Sequence, residues 1–205
     1  MVRRTKEEAQ ATRHRILDAA ERVFQAQGVG ATSLAHIAEA AGVTRGAVYW
    51  HFKDKADVFD AMLSRVVLPM EAATEAELDG DAPPLQRLRA HVAALFGHIE
   101  QDAQAQRVFD IVTTRVEYVD EMSALRDRKS RSRRDYQARL QALLAEAQRR
   151  REVDPALPLP PLVFGLFALV DGLIRNWVVE PGAYPLQQTA RLVVDRYLAG
   201  LAPGR

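Results

Sequence analysis

The residues best equipped for chemistry on a partner lie between positions 44 and 51. Thr44, Arg45, Gly46, Ala47, Tyr49, Trp50 and His51 gather a hydroxyl, a guanidinium, a phenol, an indole and an imidazole within about two helical turns. Thr44 and Tyr49 can hydrogen-bond phosphate or sugar, and a guanidinium near a helix start can reach a guanine edge or a phosphate. Gly46 and Ala47 would let the helix backbone approach a groove closely. This pattern suits nucleic-acid contact. The competing reading is a capped surface helix with Trp50 partly in a core.

Catalytic and metal chemistry find no comparable set. There is no cysteine, hence no disulfide, thiolate ligand or cysteine nucleophile. His14, His36, His51, His91 and His98 are scattered. Only His91 and His98 can share a helix face. No glycine-rich phosphate loop follows a strand and no nucleophile elbow is present. The expectation is no enzyme, no metal and no cofactor.

Composition sets the frame. The chain has 205 residues, 48% hydrophobic and 27% charged, a globular balance long enough to bury a core. The net charge of +1 is uneven, because residues 1–55 carry nine Lys/Arg against six Asp/Glu. A basic N-terminal part on a mildly acidic body is compatible with nucleic-acid binding. No secretory signal is visible behind the charged start, and a cytoplasmic location is expected. The most apolar stretch, Leu162 to Val179, contains Asp171 and Arg175, which favours a bundle helix over a membrane span.

Every strong periodicity is helical. The expected elements are a helix over about 6–27 ending at Gly28, and a short one capped by Thr32 or Ser33 and ended by Gly42. A third is capped by Thr44 and runs through His51, and a fourth runs from Asp54 toward Leu78. After the break at residues 79–84 come helices over about 85–101, 104–116, 120–151, 161–179 and 186–201. The fold class is all-α, about nine helices: an N-terminal three-helix domain with a helix-turn-helix, then a C-terminal helical bundle. The domains are placed at 1–55, with the start of the fourth helix to about 70, and 56–205.

The second and third helices meet the demands of a helix-turn-helix. The crossing needs a small residue, which is Ala38. The turn needs tolerance of positive φ, which is Gly42. The second helix of the pair needs an apolar residue pointing back, which is Val48. Ile37, Ala41 and Val43 complete the small core.

With these residues in place, the stretch Thr12 to Phe59 resembles the N-terminal domain of TetR-type transcriptional regulators. Matching positions include Ile16, Leu17, Ala20, Phe24, Gly28, Leu34, Ile37, Ala38, Gly42, Val43, Gly46, Tyr49, His51, Phe52, Lys55 and Phe59. The segment Gly46-Ala47-Val48-Tyr49-Trp50-His51-Phe52-Lys53-Asp54-Lys55 is the most specific. The opening Arg3-Arg4-Thr5-Lys6-Glu7-Glu8-Ala9 and the Thr44 to Ala47 step look like the AcrR/TtgR-like branch, which represses multidrug efflux pump genes.

The resemblance implies double-stranded operator DNA as a partner, contacted by Thr32, Ser33, Thr44, Arg45, Gly46, Ala47, Tyr49, Trp50, His51 and Lys55. Arg3, Arg4 and Lys6 are either a basic arm or a solvated tail. It also implies a homodimer through the last two helices, where Gly165, Ala168 and Gly172 would allow close approach; burial within one chain is the alternative. A small apolar or aromatic effector would sit among Val92, Leu95, Phe96, Phe109, Val112, Thr113, Tyr136, Leu140, Phe167, Val170, Asp171, Ile174 and Arg175. Asp171 and Arg175, spaced i, i+4, could instead pair with each other. The run Arg126, Arg128, Lys129, Arg131, Arg133 and Arg134 reads as a solvated face balanced by acids such as Glu121 and Asp127, or as a second nucleic-acid surface. The implied function is a ligand-responsive repressor of an efflux pump operon. The alternative is a helix-turn-helix protein whose body only dimerises or binds a protein partner.

Overall fold

The computed structural model describes residues 6–116 and 123–204, with the side chains of Glu75 and residues 123–129 outside that description. Arg3 and Arg4 of the candidate arm, Glu121, and the side chains of Arg126, Asp127, Arg128 and Lys129 therefore lie outside the described residues.

Among the described residues there are nine helices and no strand. They are α1 (Lys6–Gln27), α2 (Leu34–Ala41), α3 (Arg45–His51), α4 (Lys55–Glu75), α5 (Pro84–Gln101), α6 (Ala103–Thr114), α7 (Ser123–Arg149), α8 (Leu159–Val179) and α9 (Leu186–Ala199). The all-α expectation holds. The fourth helix is shorter than the periodicity suggests. Asp54 stands before it as an acceptor, its carboxylate taking the Asp57 N–H at 2.8 Å, while Asp57 accepts the Lys53 N–H at 2.9 Å. The two carboxylates together fix the start. At the far end, Glu77 N–H turns back to the Thr74 carbonyl at 3.2 Å.

Contacts divide the chain into two compact units. The first takes Met1–Val67 and Arg107–Asp127, the second Leu68–Gln106 and Arg128–Arg205. The chain crosses between them inside α4, α6 and α7. In α4 the crossing lies beside Pro69, which lacks the N–H that would bond to the Arg65 carbonyl.

The first unit has its own core. Ile16, Leu17, Ala20 and Phe24 of α1 are buried, as are Ile37, Val48, Phe52, Val58, Phe59 and Met62, and α1 packs on α2. Phe24 and Phe59 meet edge to face at 5.9 Å. Each such large side chain contributes about 1.5–3 kcal/mol by leaving water, so this small domain carries its own packing.

In the second unit, α5 packs on α9 and α9 on α8. Helices α5, α8 and α9 each begin after a proline that offers no side-chain cap, and α5 and α9 are capped from elsewhere. Glu152 accepts the Leu85 N–H at the start of α5, and Glu100 accepts the Leu186 and Gln187 N–H groups at the start of α9. A carboxylate at a helix N-terminus satisfies orphan donors and opposes the positive end of the dipole.

Helix α8 goes against the alternative of burial within one chain. It is long and apolar enough to cross a membrane by length and composition, yet most of it is not buried. Its buried residues, Val163, Leu166, Val170, Trp177 and Val178, form one side, while Phe164 and Val179 stay largely in solvent. One chain covers only part of an almost uniformly apolar helix.

Candidate nucleic-acid interface

The helix-turn-helix is assembled from local rules. Ser33, rather than Thr32, is the N-cap of α2. Its hydroxyl accepts the His36 N–H at 3.2 Å, and the His36 ring accepts the Ser33 N–H at 3.4 Å. Gly42 ends α2 at φ +64°, the left-handed region. Val43 N–H then bonds to the Ala38 carbonyl at 3.0 Å, and Gly42 N–H to Glu39 at 3.1 Å. These bonds satisfy carbonyls that the helix end would leave open and set the angle of the turn. Arg22 of α1 reaches the Ala40 carbonyl at 3.5 Å, placing a cation at the negative end of α2.

Thr44 caps α3, its hydroxyl accepting the Ala47 N–H at 3.1 Å. The same hydroxyl still has a proton to donate, and Thr44 is exposed. Within α3, Val48 is fully buried and turns toward α2, with Ile37 and Ala38 buried opposite. Tyr49 and Trp50 point out, 62% and 72% exposed. The reading of Trp50 as partly in a core does not hold. Its indole instead stands edge-on to His51 at 4.5 Å. Arg45 and Gly46 are exposed, and Ala47 and His51 are half-buried.

A shallow depression of about 360 Å³ joins this helix to its neighbours, lined by Thr32, Ser33, Leu34, Ala35, Arg45, Tyr49, Lys53, Asp54 and Lys55. Five of the ten residues assigned to DNA from sequence line it: Thr32, Ser33, Arg45, Tyr49 and Lys55. Three cations face one acid, and Asp54 is already occupied by its cap. The depression therefore offers positive charge with hydroxyl and phenol donors, a combination suited to phosphate oxygens.

Two of those residues sit differently from a free surface contact. Thr32 is buried, its hydroxyl donating to the Gly28 carbonyl at 2.7 Å and accepting from Gln27 at 3.2 Å. It holds the turn between α1 and α2. Lys55 is 8% exposed and its ammonium donates to the Gly30 carbonyl at 3.2 Å. Lys53 lies in the turn, outside the helix faces that periodicity tracks, and also lines the depression. It is the exposed lysine of the depression.

The effector candidates divide between the units. Phe109, Val112 and Thr113, all half-buried, belong to the first. In the second, Val92, Leu95, Phe96, Leu140 and Val170 are buried core, and Tyr136, Phe167, Asp171 and Ile174 are half-buried. Asp171 and Arg175 do pair, at 2.5 Å, with Arg175 exposed.

Sequence reasoning missed His91 as a member of this group. It lies on the apolar stripe of α5 with Leu88, Val92 and Leu95, where a polar ring must find partners. Its Nδ1 meets the Thr74 carbonyl at 2.9 Å and its Nε2 the Tyr136 hydroxyl at 3.1 Å. A carbonyl only accepts, so Nδ1 carries the proton and Nε2 accepts from the phenol. Burial pushes the Tyr136 phenol up, which keeps that donor protonated. Phe167 meets the Tyr136 ring at 6.3 Å, and the Arg133 guanidinium lies 4.6 Å from the Phe167 centroid. Among the described residues no group of three His, Asp or Glu side chains gathers as a metal site.

Comparison with known proteins agrees with this geometry. Residues 16–62 match the model of bacterial regulatory proteins of the tetR family, and residues 83–203 match the C-terminal region of MAATS-type transcriptional repressors. The HTH-type transcriptional regulator TtgR of Pseudomonas putida is 39% identical over 196 residues, covering 95% of this chain and 93% of the relative. Among solved structures, NalD, the secondary repressor of the MexAB-OprM multidrug efflux pump in Pseudomonas aeruginosa, superposes with a TM-score of 0.87. Its identity is 33%, over 98% of this chain and 100% of that one. A SmeT–triclosan complex gives a TM-score of 0.81 at 32% identity, covering 95% and 93%; SmeT is the repressor of the Stenotrophomonas maltophilia pump SmeDEF.

Proposed function

This chain belongs to the TetR family of bacterial regulatory proteins, and from that premise we propose that it is a homodimeric repressor of a multidrug efflux pump operon. It is a DNA-binding transcription regulator and not an enzyme. In the proposed cycle, a small apolar or aromatic effector enters the helical body and releases a palindromic operator. DNA binding is assigned to residues 1–55 with the start of α4 to about 70, and effector binding and dimerisation to 56–205.

The single observation that carries the reading is α3. A buried Val48 anchors it, while Arg45, Tyr49 and Trp50 stand outside beside a depression lined by Lys53 and Ser33. Arg45 and the small Gly46–Ala47 face read base edges; Ser33, Thr44, Tyr49, His51 and Lys53 fix position on phosphates. Two such helices, one per subunit, would enter major grooves about 34–36 Å apart or somewhat more. The uncovered apolar side of α8, together with α9, supports self-association, because water penalises exposed Phe164, Val179 and Leu192. An effector of drug-like character is supported by the repressor relatives, one of which is solved with triclosan.

The test is a gel shift of the DNA upstream of this protein's own reading frame, with and without triclosan as probe. Specific retention that triclosan weakens, together with loss of retention in Tyr49→Ala, is the expected result. If no upstream fragment is retained at low salt, operator binding there is wrong. If retention persists unchanged across a panel of apolar drugs, the effector is wrong.

A further inference from the structure

Three residues near the unit boundary form a device that the DNA-reading role does not use directly. Glu21, on α1, is 2% exposed, an unusual place for a carboxylate. It pairs with Arg65 of α4 and lies 3.6 Å from Arg107 of α6. Arg65 also holds Asp18 of α1 at 2.7 Å. The positions of the two arginines along the chain are telling. Arg65 stands just before the chain leaves the first unit, after Val67. Arg107 is the first residue on its return. One buried carboxylate of α1 therefore grips both α4 and α6 where they enter and leave the reading unit. The third crossing, between Asp127 and Arg128 in α7, lies where side chains are outside the described residues.

A second contact fastens the other end of α6. The Val29 N–H, just past α1, donates to the Arg115 carbonyl at 3.0 Å. Helix α6 is thus held along α1 at both Arg107 and Arg115. Helix α1 packs on α2, and α2 on α3.

We propose that Glu21 is a positioning residue for DNA reading: its carboxylate fastens α4 and α6 to α1, so that any movement of those two helices reaches α2 and α3 through this joint. Burial makes the joint stiff, since a carboxylate deprived of water cannot exchange its guanidinium partners for solvent without cost. Arg65 is committed more deeply than Arg107, because its Nε is enclosed with no partner while its two terminal nitrogens serve Glu21 and Asp18. Arg107, 41% exposed, is the end of the joint that can let go.

The inference rests on the proposed function for its operator readout, and on the fold alone for a second readout. Arg107→Ala is the primary variant, since removal of a part-exposed partner leaves Glu21 paired with Arg65. Amide exchange at Val29 and along residues 108–114 should quicken about tenfold, with the α2 and α3 amides unchanged. Affinity for the upstream DNA should fall about five-fold, and the factor by which triclosan weakens binding should shrink, both recovered in part by Arg107→Lys. Glu21→Gln should give the larger loss, and adding Arg107→Ala to it should change little more. Should Glu21→Gln fail to fold, the Arg107 pair of variants still decides. Unchanged exchange at Val29 overturns the fastening. Faster exchange with full operator affinity overturns the positioning role. Wild-type protein that retains no DNA sinks the proposed function instead, and the exchange comparison still judges the joint.

Discussion

Helices α3 and α8 both leave large side chains in water, with opposite chemistry. On α3 the exposed groups are Tyr49 and Trp50, each an apolar body with a hydrogen-bonding head, set among Arg45, Lys53 and His51. On α8 they are Phe164 and Val179, which have no head at all. The rest of α3 is buried through Val48 alone, so its outward face is held by a cap and a tight turn. The rest of α8 is a broad apolar stripe packed within its own unit. Exposure by itself thus says little about a partner. Polar heads beside cations suit an anionic, hydrogen-bonding surface, while bare hydrocarbon suits another apolar surface, and a second copy of α8 supplies one.

The largest effect expected from this contrast is on self-association. Phe164→Glu places a charge on the uncovered face of α8, and a symmetric interface counts it twice. The loss should be about 3–6 kcal/mol per dimer, from two phenyl rings at about 1.5–3 kcal/mol each before any cost of burying the carboxylates. Sedimentation equilibrium measures it. A dimer constant that moves less than tenfold would remove α8 from the interface and leave its apolar face unexplained.

The next effect is on reading. Arg45→Ala should cost about 1–3 kcal/mol of operator affinity per half-site and relax preference at one base position. Lys53→Ala should weaken binding evenly across sequences and flatten its salt dependence. Neither should shift the melting temperature, because both side chains are exposed. A uniform loss for Arg45→Ala would move that residue from base reading to phosphate contact.

These two helices also mark what the sequence made legible. The reading unit rests on near-neighbour rules: a cap at Thr44, a left-handed residue at Gly42, a small residue at Ala38 and an inward Val48. Each acts within a few positions, so the helix-turn-helix could be placed from spacing alone. The pairings that local spacing does not encode join distant positions. Glu21 meets Arg65 and Arg107, His91 meets Thr74 and Tyr136, and Glu100 caps the start of α9. No local periodicity encodes which carboxylate finds which guanidinium. Lys55 shows the same limit. Its type and place suggest a phosphate contact, and the fold turns its ammonium to the Gly30 carbonyl.

A smaller effect separates folding from reading within α3 itself. Thr44→Ala removes the hydroxyl that accepts the Ala47 N–H, and an N-cap of this kind is worth about 1 kcal/mol. Urea unfolding should show that loss. Thr44→Ser keeps the oxygen and should restore both stability and operator binding. If the alanine variant binds DNA as well as the wild type does, the cap orders α3 without contributing a phosphate contact.

The smallest effect tests α8 from its polar edge. Asp171 and Arg175 pair across one turn with side chains 41% and 45% exposed, so solvent screens most of their attraction. Arg175→Ala should change unfolding stability by about 0.5 kcal/mol or less. The same variant then discriminates two roles for the pair. If triclosan raises the melting temperature of the wild type and of Arg175→Ala equally, the pair is a surface ornament of α8. If the shift vanishes while stability holds, the guanidinium orients the ligand, and the ion pair in the free protein keeps it aimed until a ligand acceptor displaces Asp171. Polar residues would then do on α8 what they do on α3, setting what is recognised on a face whose affinity comes from elsewhere.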